Sequence, residues 1–161
     1  DGLRLERRMR FDGVGALLVE HRLANAGVEP RTASLRLHAS EAVVGNLTYP
    51  LAAGPVREPY HGWGHFPCGA ADVLAMGGRL AETWCACDTE DGVAGLVWHP
   101  AQEERVGWDG HFPTLTYDLG EIPAHAAVDA PHVWLLAGPG SWPVVRDWWL
   151  RAVRPAGRAS G

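Results

Sequence analysis

The sequence predicts an all-β protein, an antiparallel β-sandwich with one C-terminal α-helix. Three observations predict it. Apolar and polar residues alternate with period two in "GALLVEHRLANAG" and again in "RTASLRLHAS", the pattern of half-buried strands. "GRLAETWCACD" and "VAGLVWH" flank the acidic Gly-ended turn "TEDG", a hairpin signature. Helical period occurs once, in "SWPVVRDWWLRAV" near the end of the chain.

Taken in order, the Arg cluster "RLERRMR" reads as a solvated strand or entry segment. In the next strand Leu17, Val19, His21 and Leu23 share one face, with Leu18, Glu20 and Arg22 on the other. After the turn formers "NAGVEP", Ala33, Leu35, Leu37 and Ala39 oppose Thr32, Ser34, Arg36 and His38, so these two segments are expected to form an antiparallel hairpin with a longish loop. Residues 50–78 show no clean period and are expected to be irregular. The hairpin through "TEDG" follows. "HFPTLTYDLGEIPAH" then gives a strand with Leu115, Tyr117 and Leu119 on one side. "PHVWLLAG" is nearly apolar on both faces and is expected to be a central strand. In the helix, Ser141 is the cap candidate and Pro143 sits in the first turn, where a missing N–H costs nothing. Val145, Trp148, Trp149, Ala152 and Val153 form its docking stripe.

The 161 residues suit one domain, expected over 1–153, with 154–161 ("RPAGRASG" and its neighbours in composition) as a linker or disordered tail. Asp1-Gly2 opens the chain without Met or a charged-then-apolar leader, which reads as a piece of a longer protein. No apolar run has the length of about 18 residues that a membrane span needs. Every basic residue is Arg, and the formal net charge is −5. With basic residues scattered outside the first segment, broad binding to nucleic acid is not expected. The all-Arg, Ala- and Gly-rich composition suggests a bacterial, GC-rich source, and buried free thiols would suit a cytoplasmic location.

Of three cysteines, Cys85 and Cys87 lie two apart on one side of a strand, a poor geometry for a bridge. Cys68 sits in "HGWGHFPCG", the densest cluster of chemically capable residues. There His61, His65 and Cys68 form the only metal-ligand combination to consider, with Cys85, Cys87 or His99 as a fourth ligand. Gly62, Gly64 and Pro67 deny the segment helical spacing, and no C-x₂-C or H-E-x-x-H pattern exists. An aromatic-rich loop is therefore expected in place of a metal site, and no cofactor is called for. No G-x-S-x-G or P-loop is present. Glu82 falls beside Leu80 and Trp84 on an apolar face and needs a partner, expected to be an arginine.

Tryptophans offer a binding chemistry. Sugar C–H faces stack on indole while the sugar rim hydrogen-bonds to charged neighbours. "HGWGHF" and "GWDGHF" repeat one residue mix, and both are expected at loop tips. This nominates Trp63, Trp108, His61, His65, Asp109 and His111 as ligand-binding residues, while at least half of Trp63, Trp84, Trp98, Trp108 and Trp134 are expected in the core.

"NAGVEPRTASLRLH" resembles the segment of galactose-mutarotase-like β-sandwiches in which a strand ends in Asn, turns through Gly and Pro, and returns to a His. "AETWCACDTEDGVAGLVWHP" is similar to paired strands in the C-terminal β-domains of α-mannosidase-type glycoside hydrolases. The resemblance implies an accessory domain of a carbohydrate-handling protein, with sugar and the other domains of its parent chain as partners. In mutarotases a His acid and a Glu base act on the anomeric hydroxyl and ring oxygen. Carried over, these roles would fall to His38 and Glu121 in an epimerase-like alternative. The aromatic expected soon after the His is absent from "HASEA". A third alternative is a structural module that docks on a neighbouring domain.

Overall fold

A computed structural model of the chain describes residues 2–13, 15–38, 44–61, 80–100, 104–108 and 113–153. Its strands are β1 (Leu3–Phe11), β2 (Ala16–Asn25), β3 (Arg31–His38), β4 (Val44–Leu51), β5 (Gly54–His61), β6 (Trp84–Thr89), β7 (Gly92–Trp98), β8 (Glu104–Trp108), β9 (Pro113–Ile122), β10 (Ala127–Asp129) and β11 (Val133–Gly138). One helix, α1 (Trp142–Ala152), follows. The larger sheet runs β1-β2-β11-β7-β6-β4-β5, with β10 also paired to β2, and the smaller runs β3-β9-β8. All pairings are antiparallel. Among the described residues the fold is thus all-β with one C-terminal helix.

The alternation of side chains gives the larger sheet two apolar faces, and each is covered by a different layer. On one face Leu47, Tyr49, Cys85, Cys87, Trp98 and Val133 pack with Leu35, Val106, Leu115 and Tyr117 of the smaller sheet. On the other, Trp84, Ala86, Val97 and Leu136 lie under Val145, Trp148 and Val153 at the helix. Each of these large side chains contributes on the order of 1.5–3 kcal/mol by leaving water. β7 and β6 are covered on both faces, and β11 is central as expected, between β2 and β7, although Leu135 is 42 % exposed. Cys85 and Cys87 are buried and free, on the same face as their spacing requires. Burial, the larger cause in both, pushes the Cys85 thiol up to about 12 and the Cys87 thiol up to about 11, so neither is a nucleophile at neutral pH.

The helix sits close to the sheet because Gly95 of β7 has no side chain. A Cβ there would lie 2.6 and 2.7 Å from the two Cγ atoms of Val145. Ser141 occupies the N-cap position in extended conformation, but its side chain makes no capping bond. The expected cap is instead supplied from the sheet. Asp88 Oδ1 accepts the Trp142 N–H at 2.6 Å, and its Oδ2 accepts from Arg57 at 3.2 Å. A carboxylate at this position also meets the positive end of the helix dipole.

The segment 31–38 does not form a hairpin with 16–25. β2 belongs to the larger sheet and β3 to the smaller, so "NAGVEP" carries the chain across the sandwich. Asn25 makes that crossing. Buried to 1 % exposure, its Nδ2 donates to the carbonyls of Glu29, Ile122 and Pro123 at 2.8, 3.0 and 3.2 Å, and its Oδ1 accepts from Gly27 N–H. β9 takes the place beside β3 that the local pattern assigned to β2. Residues 54–61, expected to be irregular, form β5 against β4. Pro50, Pro55 and Pro59 hide the alternation there, and β5 is an edge strand, where proline is tolerated. The hairpin of β6 and β7 forms as expected around Glu90 and Asp91. Residues 154–161 lie outside the described set.

A candidate binding cleft on the β1–β2 wing

β1 and β2 project beyond the smaller sheet and the helix. Their register places Glu6 opposite Arg22 and Arg8 opposite Glu20, so these four side chains share one face. The far side of β2 is shared by two strands. β10 pairs with residues 22–24 and β11 with residues 16–19. The chain bends out between them, where Ala130 N–H donates to the His21 carbonyl at 2.9 Å. The resulting cleft holds about 320 Å³ and is lined by Glu6, Arg8, Glu20, Arg22, Asp129 and His132, with His21 and Ala130 completing the wall.

The charges in this cleft are loosely paired. Arg22 donates to Asp129 at 3.2 and 3.4 Å, Arg10 to Glu20 at 3.4 Å, and His132 Nε2 stands 3.5 Å from Glu20 Oε1. Charge-assisted hydrogen bonds normally close to about 2.7–2.9 Å. A tight pair exists elsewhere in the molecule. Glu82 takes Arg146 at 2.7 and 2.9 Å together with the Trp84 indole N–H at 2.6 Å. That cluster is the arginine partnership expected for Glu82, and it pins α1 to the sheet. The cleft, by contrast, keeps donors and acceptors available to a ligand. His132 meets the half-buried Trp134 edge-on, with ring centroids 5.9 Å apart, which extends the rim with an indole.

His21 lies on the opposite face of β2, paired with Arg7 of β1. Its side chain is buried, and its Nδ1 has no hydrogen-bond partner among the described residues. Burial first, and then the Arg7 charge, lower its pKa below the ordinary 6.5. The unfolded chain therefore takes up a proton below that value while the folded chain still refuses it. Stability contributed by neutral His21 is complete above pH 6.5 and falls as the pH drops below it. The urea midpoint should accordingly decline between about pH 7 and about pH 5, and His21→Gln should flatten the decline. An identical decline in the variant would assign the acid sensitivity to other groups.

The residues nominated from sequence are distributed as follows. His38 ends β3 opposite Thr114, whereas Glu121 pairs with Thr32 and is exposed. Six residues of strand, roughly 20 Å, separate the two positions, so the ladder does not bring them together for chemistry on one sugar. Trp108 closes β8 opposite Pro113, the first residue of β9, and His61 closes β5 opposite Val44. Trp63, His65, Cys68, Asp109 and His111 lie outside the described residues, and with them the aromatic loop and the His61–His65–Cys68 combination. Among the described residues no group of three His, Cys, Asp or Glu side chains is arranged to hold a metal ion. None of their helices is long and apolar enough to cross a membrane. Trp84 and Trp98 are sealed in the core at 0 % and 1 % exposure.

Sequence reasoning missed the cleft. One signal was present in the matched alternation of "RLERRMR" with Glu20 and Arg22, which puts opposite charges across a strand pair. Asp129, at the end of β10, and His132, just before β11, carried no signal, since they are brought to β2 from more than a hundred residues away. No family model matches the chain, and no curated protein matches it.

Proposed function

We propose that the chain is a non-catalytic binding module for a neutral, polyhydroxylated ligand of the carbohydrate class, taken in the cleft between β1, β2 and β10. The observation that carries this reading is the cleft's balanced set of loosely paired groups. Glu6, Glu20 and Asp129 supply acceptors, and Arg8, Arg22 and His132 supply donors. An anion or cation would favour a site dominated by one sign. Vicinal hydroxyls, which donate and accept at once, fit alternating carboxylates and guanidinium groups. The weak resemblance to glycoside-hydrolase-associated sandwiches points to the same class of ligand. Trp63 and Trp108 supply indole faces of the kind on which a sugar ring stacks.

Glycan-array screening followed by calorimetric titration of the best glycan tests the proposal. Asp129→Ala and Arg22→Ala should each weaken binding roughly tenfold, in line with about 1.5 kcal/mol for a hydrogen bond to a charged group. Unchanged affinity in both, with loss in Trp63→Ala or Trp108→Ala, would move the site to the aromatic loops. Absence of any bound glycan would end the carbohydrate reading. A second reading, a module that docks on another polypeptide, is favoured by the exposed edge of β1.

A further inference from the structure

β1 ends the order of the larger sheet. Its nine residues pair with β2 without interruption, from Leu3 opposite Asn25 to Phe11 opposite Leu17. No strand among the described residues pairs with its outer side. An antiparallel edge of this length presents a row of backbone N–H and C=O groups aimed outward. Edge strands are commonly kept from pairing by proline, by a bulge, by brevity or by charged side chains, and the charges of β1, mostly arginine, would repel a basic strand but attract an acidic one; of the other three devices the strand shows no trace.

The side chains of β1 define what would pair there. One face carries Leu3, Leu5, Met9 and Phe11, which are 40, 47, 61 and 82 % exposed, with Arg7 between them. This stripe is continuous with Leu17, Val19 and Leu23 across the ladder. The other face carries Arg4, Glu6, Arg8 and Arg10. Four arginines against one glutamate give β1 a formal charge of +3, on a chain whose net charge is −5. Arg7 and Arg8 are exposed and make no ion pair among the described residues, while Arg4 and Arg10 hold only loose surface pairs at 3.5 and 3.4 Å.

A second copy of β1 fits this edge poorly. A two-fold axis at Arg7 would set Arg7 against Arg7 and Arg4 against Arg10, offset only by Glu6 against Arg8, and an axis at Glu6 would set Arg4 against Arg8 and Glu6 against Glu6. Like charges directly opposite are destabilising. We infer that β1 is an acceptor edge for β-strand addition by an extended acidic segment in which apolar residues alternate with Asp or Glu. Apolar side chains of such a segment would cover Leu5, Met9 and Phe11, and its carboxylates would meet the arginines on the opposite face. Backbone hydrogen bonds would supply affinity and the alternation specificity.

The probe is a fluorescein-labelled peptide of nine residues alternating Val and Glu, the length of β1, titrated with the intact chain by fluorescence anisotropy. Binding is expected, weakening roughly tenfold between about 0.05 M and about 0.5 M NaCl as the ion pairs are screened. A peptide with Lys in place of Glu, and one N-methylated at alternate residues to remove its bonding edge, should both fail to bind. Arg4→Glu combined with Arg10→Glu, on the face the carboxylates would meet, should weaken binding at least tenfold. Both positions are exposed, so the fold should survive, as circular dichroism would verify. Equal binding of the N-methylated peptide would overturn strand addition in favour of charge attraction alone. No binding of the Val–Glu peptide would overturn the inference outright. So would a dimer in sedimentation that Phe11→Lys dissolves, because the edge would then be filled by a second copy.

Discussion

Replacing Trp84 with Ala should lower the stability of the fold by about 3–5 kcal/mol, the range for deleting a large buried aromatic. Trp84 has no exposed surface and stacks parallel to Trp142, with centroids 5.8 Å apart. Its indole N–H donates to Glu82 Oε2, the same oxygen that receives Arg146 Nε. One substitution thus opens a cavity, removes the surface on which the helix N-terminus rests and leaves a carboxylate of low exposure short of a donor. Urea unfolding should report a lower midpoint with an unchanged slope. Trp84→Phe separates the contributions. It keeps a ring against Trp142 but loses the N–H, and should cost about 1–3 kcal/mol. A loss below about 1 kcal/mol for Trp84→Ala would mean that the helix is held by other contacts.

The second large effect is expected at Gly92, which opens β7 after the tight turn. Its φ is +147°, a region that L side chains rarely adopt, and a Cβ would fall 2.2 Å from the carbonyl oxygen of Gly138. Both clashing groups belong to the backbone, so no rotamer relieves the overlap. Either the hairpin end or the end of β11 must move, and Val93 pairs with Gly138 at that point. Gly92→Ala should cost on the order of 3 kcal/mol, with strain and overpacking each contributing. Gly120→Ala is the control. It has φ +66° but nothing within 4 Å of the added Cβ, so it should show conformational strain alone, about 1 kcal/mol. Equal losses at the two positions would mean that the contact with Gly138 relaxes freely.

How much of this architecture is legible in sequence depends on the range of the interactions concerned. The hairpin of β6 and β7 was legible because its turn, its alternation and its pairing partners lie within fifteen residues. The helix was legible from its apolar period, whereas its cap was not. Asp88 is more than fifty residues from Trp142, so Ser141 was the better local candidate until the sheet brought the carboxylate to the helix. Alternation in residues 31–38 announced a strand correctly and its neighbour incorrectly. Period two says which side chains share a face, not which sheet the face joins, and the bonds from Asn25 to Ile122 and Pro123 decided that.

The candidate site follows the same division. Glu82 was expected to need an arginine, because a carboxylate of low exposure must be compensated. Which arginine supplied it, Arg146, emerged only when α1 docked. Glu6, Arg8, Glu20 and Arg22 look like solvated charges when read along the chain. They line a cleft because β10 and β11 leave a gap beside β2, into which Asp129 and His132 project from the chain's other end.

Sequence by itself determined the helix period, the alternation of most strands, the turn chemistry of the β6–β7 hairpin and the solvated character of β1. These follow from how neighbouring side chains partition between water and an apolar layer. Tertiary structure alone decided the sheet to which each strand belongs, the partner of each buried charge and the place where loosely paired groups gather. Those outcomes depend on contacts between residues far apart in the chain, for which local periodicity carries no information.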